Sequence, residues 1–148
     1  MINIESEIPF PNELIERAVK AALENQSEAL DSELSIVLTD DSKIRELNRD
    51  YLGIDAPTDV LSFPASETDP ETGARYIGDI VISMPYAAKS AEKAGHSVES
   101  EVQLLTVHGV LHLLGHDHAE NDEKERMWKA QAKILEELGL RNIKIREE

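Results

Sequence analysis

Short stretches rich in β-branched residues alternate along the chain with longer stretches whose apolar residues recur at helical spacing. The short stretches predict four β-strands, and the longer ones predict about five α-helices. We expect the strands at residues 2–5, 34–38, 59–63 and 76–83. Because strands and helices are interleaved, the pattern predicts an α+β fold with a mixed four-stranded sheet.

The third and fourth strands carry clear boundary signals. Pro64 is expected to end the third strand, because proline cannot donate a hydrogen bond to a strand ladder. Residues 65–74 then have the polar, Gly- and Pro-containing composition of a solvated loop. The fourth strand contains Ile77 and the run from Ile80 to Ile82, which predicts a strand buried in the middle of the sheet.

The predicted helices begin and end at residues that commonly cap helices. Their boundaries are Pro11 with Asn12, Asp40 or Asp41 with Gly53, Ser83 and Pro85 with Gly95, Ser97, and about Asp122 to Leu138 followed by Gly139. The helix after Ser97 is apolar on every side, from Val102 to Leu114. A helix of this kind is buried, so we place it in the centre of the fold.

Composition narrows the class of protein. The chain has 148 residues, of which 41% are hydrophobic and 30% are charged, and it contains no Cys. This balance predicts one soluble domain over residues 1–148 that needs no disulfide. We see no signal peptide and no run of the ~20 apolar residues that a membrane helix needs, so no membrane partner is expected. The formal net charge of -15 disfavours nucleic-acid binding except at a local basic patch.

Four of the five histidines lie on the apolar helix and just beyond it, at His108, His112, His116 and His118. His108 and His112 are four positions apart, so both imidazoles are expected on one face of the helix. Gly115 then allows the chain to leave the helix through a left-handed residue. His118 can therefore fold back towards the first two imidazoles.

Three converging imidazoles suit a divalent cation, and we predict one zinc ion per chain held by His108, His112 and His118, with another divalent metal as the alternative. Three protein ligands leave one position to water, which is typical of a catalytic zinc site rather than a structural one. His116 is interpreted as a bystander, either at the surface or behind the ligands. His96 precedes a helix cap and is expected to be solvated.

The spacing His-x-x-x-His-x-x-Gly-x-x-His also occurs in metzincin peptidases. Those enzymes carry a catalytic glutamate directly after the first histidine, where this chain has Gly109. Glycine can neither take up a proton nor pass it to a leaving amine, so peptide hydrolysis is disfavoured. The spacing of the metal ligands is retained.

Residues 108–118 resemble the signature of the YbeY family of metal-dependent bacterial endoribonucleases. Two further blocks agree in order and separation, at 47–64 and at 78–82, and the resemblance extends over nearly the whole chain. It implies an α+β domain with a metal on the three matching histidines. It also implies a cytoplasmic role in maturation of the 3′ end of 16S ribosomal RNA and in ribosome quality control. The implied partners are single-stranded ribosomal RNA and the small ribosomal subunit or its proteins.

One position departs from the family pattern. Many members carry Arg directly after the tyrosine of the second block, whereas this chain has Leu52, which cannot hold a phosphate. Arg49, three residues earlier on the same helix, is our candidate for substrate binding, and a solvated arginine is the alternative interpretation. Thr58, Asp59 and Ser62 are expected to line the cleft, although polar strand ends are common in any protein.

The sequence leaves the general base unassigned. Asp117, beside a predicted ligand, could serve as the base or could orient an imidazole, and Asp79 is a second candidate for orienting one. Three functions remain open: a single-strand endoribonuclease acting on ribosomal RNA, a metallopeptidase with its base supplied from elsewhere, and a ribosome-assembly factor that uses the metal only for folding. The negative net charge gives the third some weight, because the only obvious groupings of basic residues are Arg45 with Arg49 and, in the tail, Arg141, Lys144 and Arg146.

Overall fold

The structure, a computed structural model, describes residues 2–116 and 120–140. The strands are β1 (Ile2–Ser6), β2 (Glu33–Thr39), β3 (Val60–Thr68) and β4 (Arg75–Ser83). The helices are α1 (Asn12–Asn25), α2 (Asp41–Leu52), α3 (Met84–Ala94), α4 (Val98–Leu113) and α5 (Asn121–Glu137). The predicted α+β class, with a mixed four-stranded sheet and about five helices, is confirmed for the described residues.

The sheet has the strand order β1-β2-β4-β3. Strands β1, β2 and β4 run parallel, and β3 pairs antiparallel with β4 at the edge. Strand β4 therefore has a neighbour on each side, which confirms the central position predicted from its β-branched sequence. Ile80 and Ile82 of β4 are fully buried.

Strand β3 is longer than the sequence predicted, and the expected break at Pro64 is wrong. The strand continues through Pro64 to Thr68, with a register shift against β4 between Pro64 and Glu67. An edge strand has a neighbour on one side only, so a proline there does not have to leave a ladder partner unsatisfied. The predicted loop at 65–74 is accordingly shortened, since residues 65–68 belong to the strand.

Three helices begin directly after the residues that were predicted to cap them. The Asp40 side chain accepts a hydrogen bond from the Lys43 backbone N–H at 2.8 Å and caps α2. Ser83 and Ser97 cap α3 and α4 in the same way. These side chains satisfy backbone donors that have no partner within the helix, which fixes the first turn.

Helix α4 is the core helix, as its sequence predicted. It packs against α1, α3 and α5 and against β3 and β4, and every residue from Glu101 to Leu111 is buried. On the opposite face of the sheet, Ile44 of α2 packs against Leu61 and Val81 in a smaller cluster. Alternate strand residues point to opposite faces, which gives β4 an apolar surface on both sides. In the described part of the chain, no helix is long and apolar enough to cross a membrane.

Candidate metal centre

The imidazoles of His108 and His112 lie side by side on α4. Their Nε2 atoms are 3.1 Å apart, and the ring centroids are 4.6 Å apart at an interplanar angle of 73°. His108 is buried, at 9% exposure, and His112 is partly buried. The four-residue spacing therefore brings both ring nitrogens to one point, because side chains four positions apart share a helix face.

Gln131 of α5 holds the ring of His108 from behind. Its Oε1 atom lies 3.0 Å from Nδ1 of His108, and Gln131 itself is only 3% exposed. An amide oxygen can only accept a hydrogen bond, so Nδ1 carries the proton and donates it. The Nε2 atom of His108 is therefore left with a lone pair, which is the tautomer that binds a cation through Nε2.

The geometry of these two nitrogens fits a bound divalent cation. Two ligands about 2.05 Å from a tetrahedral zinc ion lie about 3.3 Å from each other. The observed Nε2 separation of 3.1 Å is within a few tenths of an ångström of that value. His118, the third predicted ligand, and Asp117, the candidate base, lie outside the described residues. Zinc binding by the three histidines stays a prediction.

Sequence analysis missed Gln131, although a signal was present. Met127, Ile134 and Leu135 form the buried face of α5, and Gln131 lies on the same face, one turn after Met127. A polar residue within an apolar stripe needs a hydrogen-bond partner. The partner could not be identified from local sequence, because His108 is 23 residues away in the chain.

Gly109 lies between the two histidines and faces the sheet. A Cβ atom built on Gly109 would lie 2.9 Å from Cδ1 and 3.0 Å from Cγ2 of Ile80. Glycine at this position therefore permits the close approach of α4 to β4. A glutamate in its place would have to enter the packed contact between α4 and β4, so the site of the peptidase base is closed by packing as well as by sequence.

The polar residues at the start of β3 have two different positions. Ser62 reaches α4, where its Oγ atom lies 3.5 Å from the backbone oxygen of Gly109. Asp59 is buried and accepts hydrogen bonds from the backbone N–H of Val60 at 2.8 Å and from the Thr58 hydroxyl at 3.4 Å. Ser62 thus approaches the level of the histidines. The Asp59 side chain instead bonds Thr58 and the Val60 backbone, and the Asp59 carbonyl accepts from the Ser83 N–H at 2.9 Å.

Among the described residues, Asp79 bonds to Tyr76 and orients no imidazole, which contradicts the sequence-based suggestion. Its carboxylate accepts a hydrogen bond from the Tyr76 hydroxyl, which also lies 3.0 Å from the Ser35 hydroxyl. The next residue, Ile80, faces Gly109 on α4. Because successive side chains alternate between faces, Asp79 points to the other side of the sheet. Burial, together with the bond to Asp79, raises the pKa of Tyr76.

His116 turns away from the paired imidazoles. Gly115 has a φ of 98°, and the backbone N–H of His116 donates to the Leu111 carbonyl at 2.9 Å. This is the predicted left-handed exit from α4. The His116 ring lies against Gln26 at the end of α1, with Nε2 and Oε1 2.6 Å apart. Burial and the nearby Arg126 lower the pKa of His116.

His96 is not solvated, which corrects the sequence-based expectation. Its side chain is 11% exposed, and its Nε2 atom lies 2.5 Å from Oε1 of Glu101, whose side chain is fully buried. Glu101 is in the first turns of α4, five residues after His96. A buried carboxylate needs a hydrogen-bonding partner, and the turn between α3 and α4 places the imidazole to provide one.

Arg49 lies on the exposed face of α2, about half exposed. Its Nε atom donates to Asp50 at 3.1 Å, and this bond raises the pKa of the guanidinium. Arg45 donates from Nε and Nη2 to the carboxylate of Asp55, at 2.7 and 3.2 Å. Leu52, at 58% exposure, extends into solvent. Both interpretations of Arg49, substrate binding and simple solvation, are compatible with this position.

Comparison with known proteins identifies the family. The family model described as "Endoribonuclease YbeY" matches residues 2–139. A Mycobacterium sp. (strain KMS) protein named Endoribonuclease YbeY is 43% identical over 143 residues, covering 92% of this chain and 81% of its own length. The namesake from Caldanaerobacter subterraneus subsp. tengcongensis is 46% identical over 138 residues, covering 86% and 87% respectively.

A solved structure agrees with these matches. The solution structure of a Thermotoga maritima protein has a TM-score of 0.60 and 28% identity, and the match covers 94% of this chain and 92% of that one. The fold, the paired histidines and the matched sequences define the class as endoribonucleases, which are hydrolases that act on RNA. The chain belongs to the YbeY family.

Proposed function

We propose that this protein is a zinc-dependent endoribonuclease that cleaves single-stranded RNA, with the metal held by His108, His112 and His118. The observation that carries the proposal is the pair of Nε2 atoms 3.1 Å apart, with one ring fixed by Gln131, in a member of an endoribonuclease family. The His108 ring is buried and fixed by Gln131, so little reorganisation of this ligand would be needed to bind a cation.

The residues of the site that the structure describes each have a definite role in this proposal. His108 and His112 bring their Nε2 atoms to one point, and Gln131 keeps the Nδ1 proton of His108 directed away from it. Binding of a cation there requires the Nε2 atoms of both rings to be deprotonated. A divalent cation bound there would supply a Lewis acid for a phosphoryl oxygen and would lower the pKa of the attacking water. Ser62 brings the edge strand against α4 beside His108, which places the edge of the sheet next to the histidine pair.

Phosphate binding is assigned in this proposal to Arg49. Its guanidinium is exposed on α2 and can offer further N–H donors to a phosphate besides the Nε bond to Asp50. Leu52 offers no such donor. With a net charge of -15, the protein has to bind RNA through local cations of this kind.

The biological substrate that we propose is ribosomal RNA. The YbeY resemblance supports maturation of the 3′ end of 16S ribosomal RNA and ribosome quality control, with the small ribosomal subunit or its proteins as partners and the cytoplasm as the location. A metallopeptidase is disfavoured because the position of its catalytic glutamate is Gly109, which faces Ile80.

The test uses metal-loaded protein incubated separately with single-stranded RNA and with casein, each with and without chelator. We expect cleavage of RNA only, and its loss on chelation. His112→Ala should lose both zinc, measured by elemental analysis, and RNA cleavage. His116→Ala is the matched control, because its ring lies against Gln26, and it should retain the metal.

Each alternative has its own result. Chelator-sensitive cleavage of casein would indicate a peptidase with a base from elsewhere. A metallated protein that binds RNA without cleaving it would indicate an assembly factor. If RNA cleavage persists undiminished in His112→Ala, the activity belongs to a contaminating nuclease, and if His116→Ala also loses zinc, the ligand assignment is wrong.

A further inference from the structure

A groove separate from the paired histidines lies between the beginning of α2 and one face of α3. It has a volume of about 260 Å³. Its lining residues are Asp41, Pro57, Tyr86, Lys89, Ser90 and Lys93. The groove combines two cations, an aromatic ring and a hydroxyl, which is the combination that single-stranded nucleic-acid sites use.

Four of the lining residues form one continuous face of α3. Tyr86, Lys89, Ser90 and Lys93 are three or four positions apart, so their side chains are neighbours on the helix surface. The buried face of α3 is formed by other residues, Met84, Ala87 and Ala91. The two lysines are therefore directed into the groove by the helical repeat, while the apolar face packs into the core.

The lysines of the groove differ from the arginines of α2. In the described part of the chain, neither Lys89 nor Lys93 forms an ion pair, whereas Arg45 and Arg49 each bind a neighbouring aspartate. In a chain with a net charge of -15, two such lysines one turn apart form a local positive site.

The position in the sheet adds to this positive potential. One end of the groove is at Asp41, the first residue of α2, beyond the carboxyl end of β2, and the groove extends along α3 from Tyr86 to Lys93. The N-terminus of α2 carries partial positive charge at this end of the groove, and open sheets commonly bind ligands beyond the carboxyl ends of their strands. Asp41 is the acidic member of the lining, and its carboxylate accepts the Ser83 hydroxyl at 2.6 Å. One of its oxygens is thus engaged with the first turn of α3.

We propose that this groove binds a backbone phosphate of the RNA strand, with Lys89 and Lys93 neutralising its charge and the Ser90 hydroxyl donating a hydrogen bond. The inference rests on the proposed function. The groove's 260 Å³ is below the ~300–1,000 Å³ of typical organic-ligand pockets, so it suits a compact anion rather than a whole nucleotide. Tyr86, 36% exposed, offers a ring surface to the adjoining base.

Strand β4 connects the level of the paired histidines with one end of the groove. Ile80 of β4 faces Gly109, between the two histidines, and three residues further on the Ser83 hydroxyl donates to Asp41 at one end of the groove. Three strand residues span about 10 Å, and Lys89 and Lys93 follow Ser83 by about two and three turns of α3. An RNA strand that contacts both the histidines and the groove must therefore be several nucleotides long. The affinity of an oligonucleotide too short to reach from one to the other should not depend on Lys89 and Lys93.

The experiment measures RNA affinity apart from cleavage. An unstructured 2′-O-methyl RNA, which resists cleavage, is titrated with metal-loaded protein at several salt concentrations by fluorescence anisotropy. The test variant is Lys89→Gln with Lys93→Gln. The control is Lys129→Gln with Lys133→Gln on α5, an exposed pair with the same spacing and the same change in net charge. Melting curves confirm that each variant is folded.

Two lost phosphate contacts should reduce the slope of log affinity against log salt by about 1.4, at about 0.7 for each contact on a single strand. That change corresponds to about 25-fold weaker binding at 0.1 M salt. The control pair should bind like the unaltered protein. If both double variants lost RNA affinity equally, only the total charge would matter and the proposal would be overturned. Unchanged RNA affinity in the α3 double variant would also overturn it.

Two further outcomes separate this proposal from its foundation. If the unaltered protein neither binds nor cleaves RNA, the proposed function fails and the groove assignment falls with it. If it cleaves RNA but the α3 pair behaves like the control, only the groove assignment is wrong. A titration with inorganic phosphate that shifts the Ser90 amide resonance, with RNA affinity unchanged in the α3 pair, would assign the groove to a free anion instead.

Discussion

Replacing Gln131 by Met tests whether the hydrogen bond behind His108 prepares the site for a metal. The substitution keeps the length of the side chain and removes the oxygen that accepts from Nδ1. His108 and Gln131 are 9% and 3% exposed, so water has little access to replace the lost acceptor. The His108 Nδ1–H group is then buried without that partner, or the ring adopts the other tautomer and its Nε2 lone pair is lost.

The expected magnitude follows from this burial. Leaving a buried donor without an acceptor costs about 1–3 kcal/mol of folding free energy. Loss of a group that orients a metal-binding imidazole lowers metal affinity by about 10- to 100-fold. A tenfold change in affinity corresponds to about 1.4 kcal/mol. The expected loss of metal-binding free energy is therefore similar in size to the expected loss of folding free energy.

Zinc affinity is measured by competition with a chromophoric chelator at neutral pH, and stability by urea unfolding of the metal-free protein. Gln131→Glu retains an acceptor and should bind zinc at least as tightly as the unaltered protein. Gln103→Met makes the same chemical change at another buried glutamine, one whose amide donates to the Glu99 carbonyl, and should leave zinc affinity unchanged. If Gln131→Met loses stability but retains full zinc affinity, Gln131 has a structural role only and our reasoning is refuted.

Four other predictions address the metal, the core, the sheet and RNA binding. Chelation should lower the melting temperature of the metallated protein, because imidazoles brought together in an apolar surround lose their common partner; an unchanged melting curve would indicate an exposed site. Gly109→Ala should destabilise the protein by about 1–3 kcal/mol in urea unfolding, since the new methyl group would overlap Ile80, and a neutral result would contradict the observed close approach. Burial raises the pKa of Tyr76 above its ordinary value of about 10. The contribution of Tyr76 to stability is therefore complete below that pH and is lost as the pH rises through the folded-state pKa. Tyr76→Phe should reduce the loss of stability at alkaline pH, measured by unfolding at several pH values, and an unchanged profile would exclude Tyr76 as the source of that loss. Arg49→Ala should weaken RNA binding about fivefold at 0.1 M salt, the effect of one phosphate contact, with zinc content unchanged by elemental analysis, and equal affinity would leave Arg49 as a solvated residue.

The sequence alone determined the features that depend on near neighbours in the chain. The apolar residues on all sides of α4 required burial, and the four-residue spacing of His108 and His112 required a shared helix face. Capping by Asp40, Ser83 and Ser97 and the left-handed Gly115 are equally local. Each follows from helical geometry or from backbone hydrogen bonding within a few residues, so no knowledge of tertiary contacts was needed.

Tertiary structure decided the features whose partners are distant or depend on the face of a strand. Pro64 continues β3 because that strand is at the edge of the sheet, and strand order cannot be read from the proline itself. Asp79 points away from the imidazoles because the neighbouring Ile80 is the residue that packs on α4, and a shift of one residue would have reversed both. Gln131 meets His108 only when α5 packs against α4. Local sequence fixes which residues share a face of a helix, whereas the choice of partner for that face is a property of the packed chain.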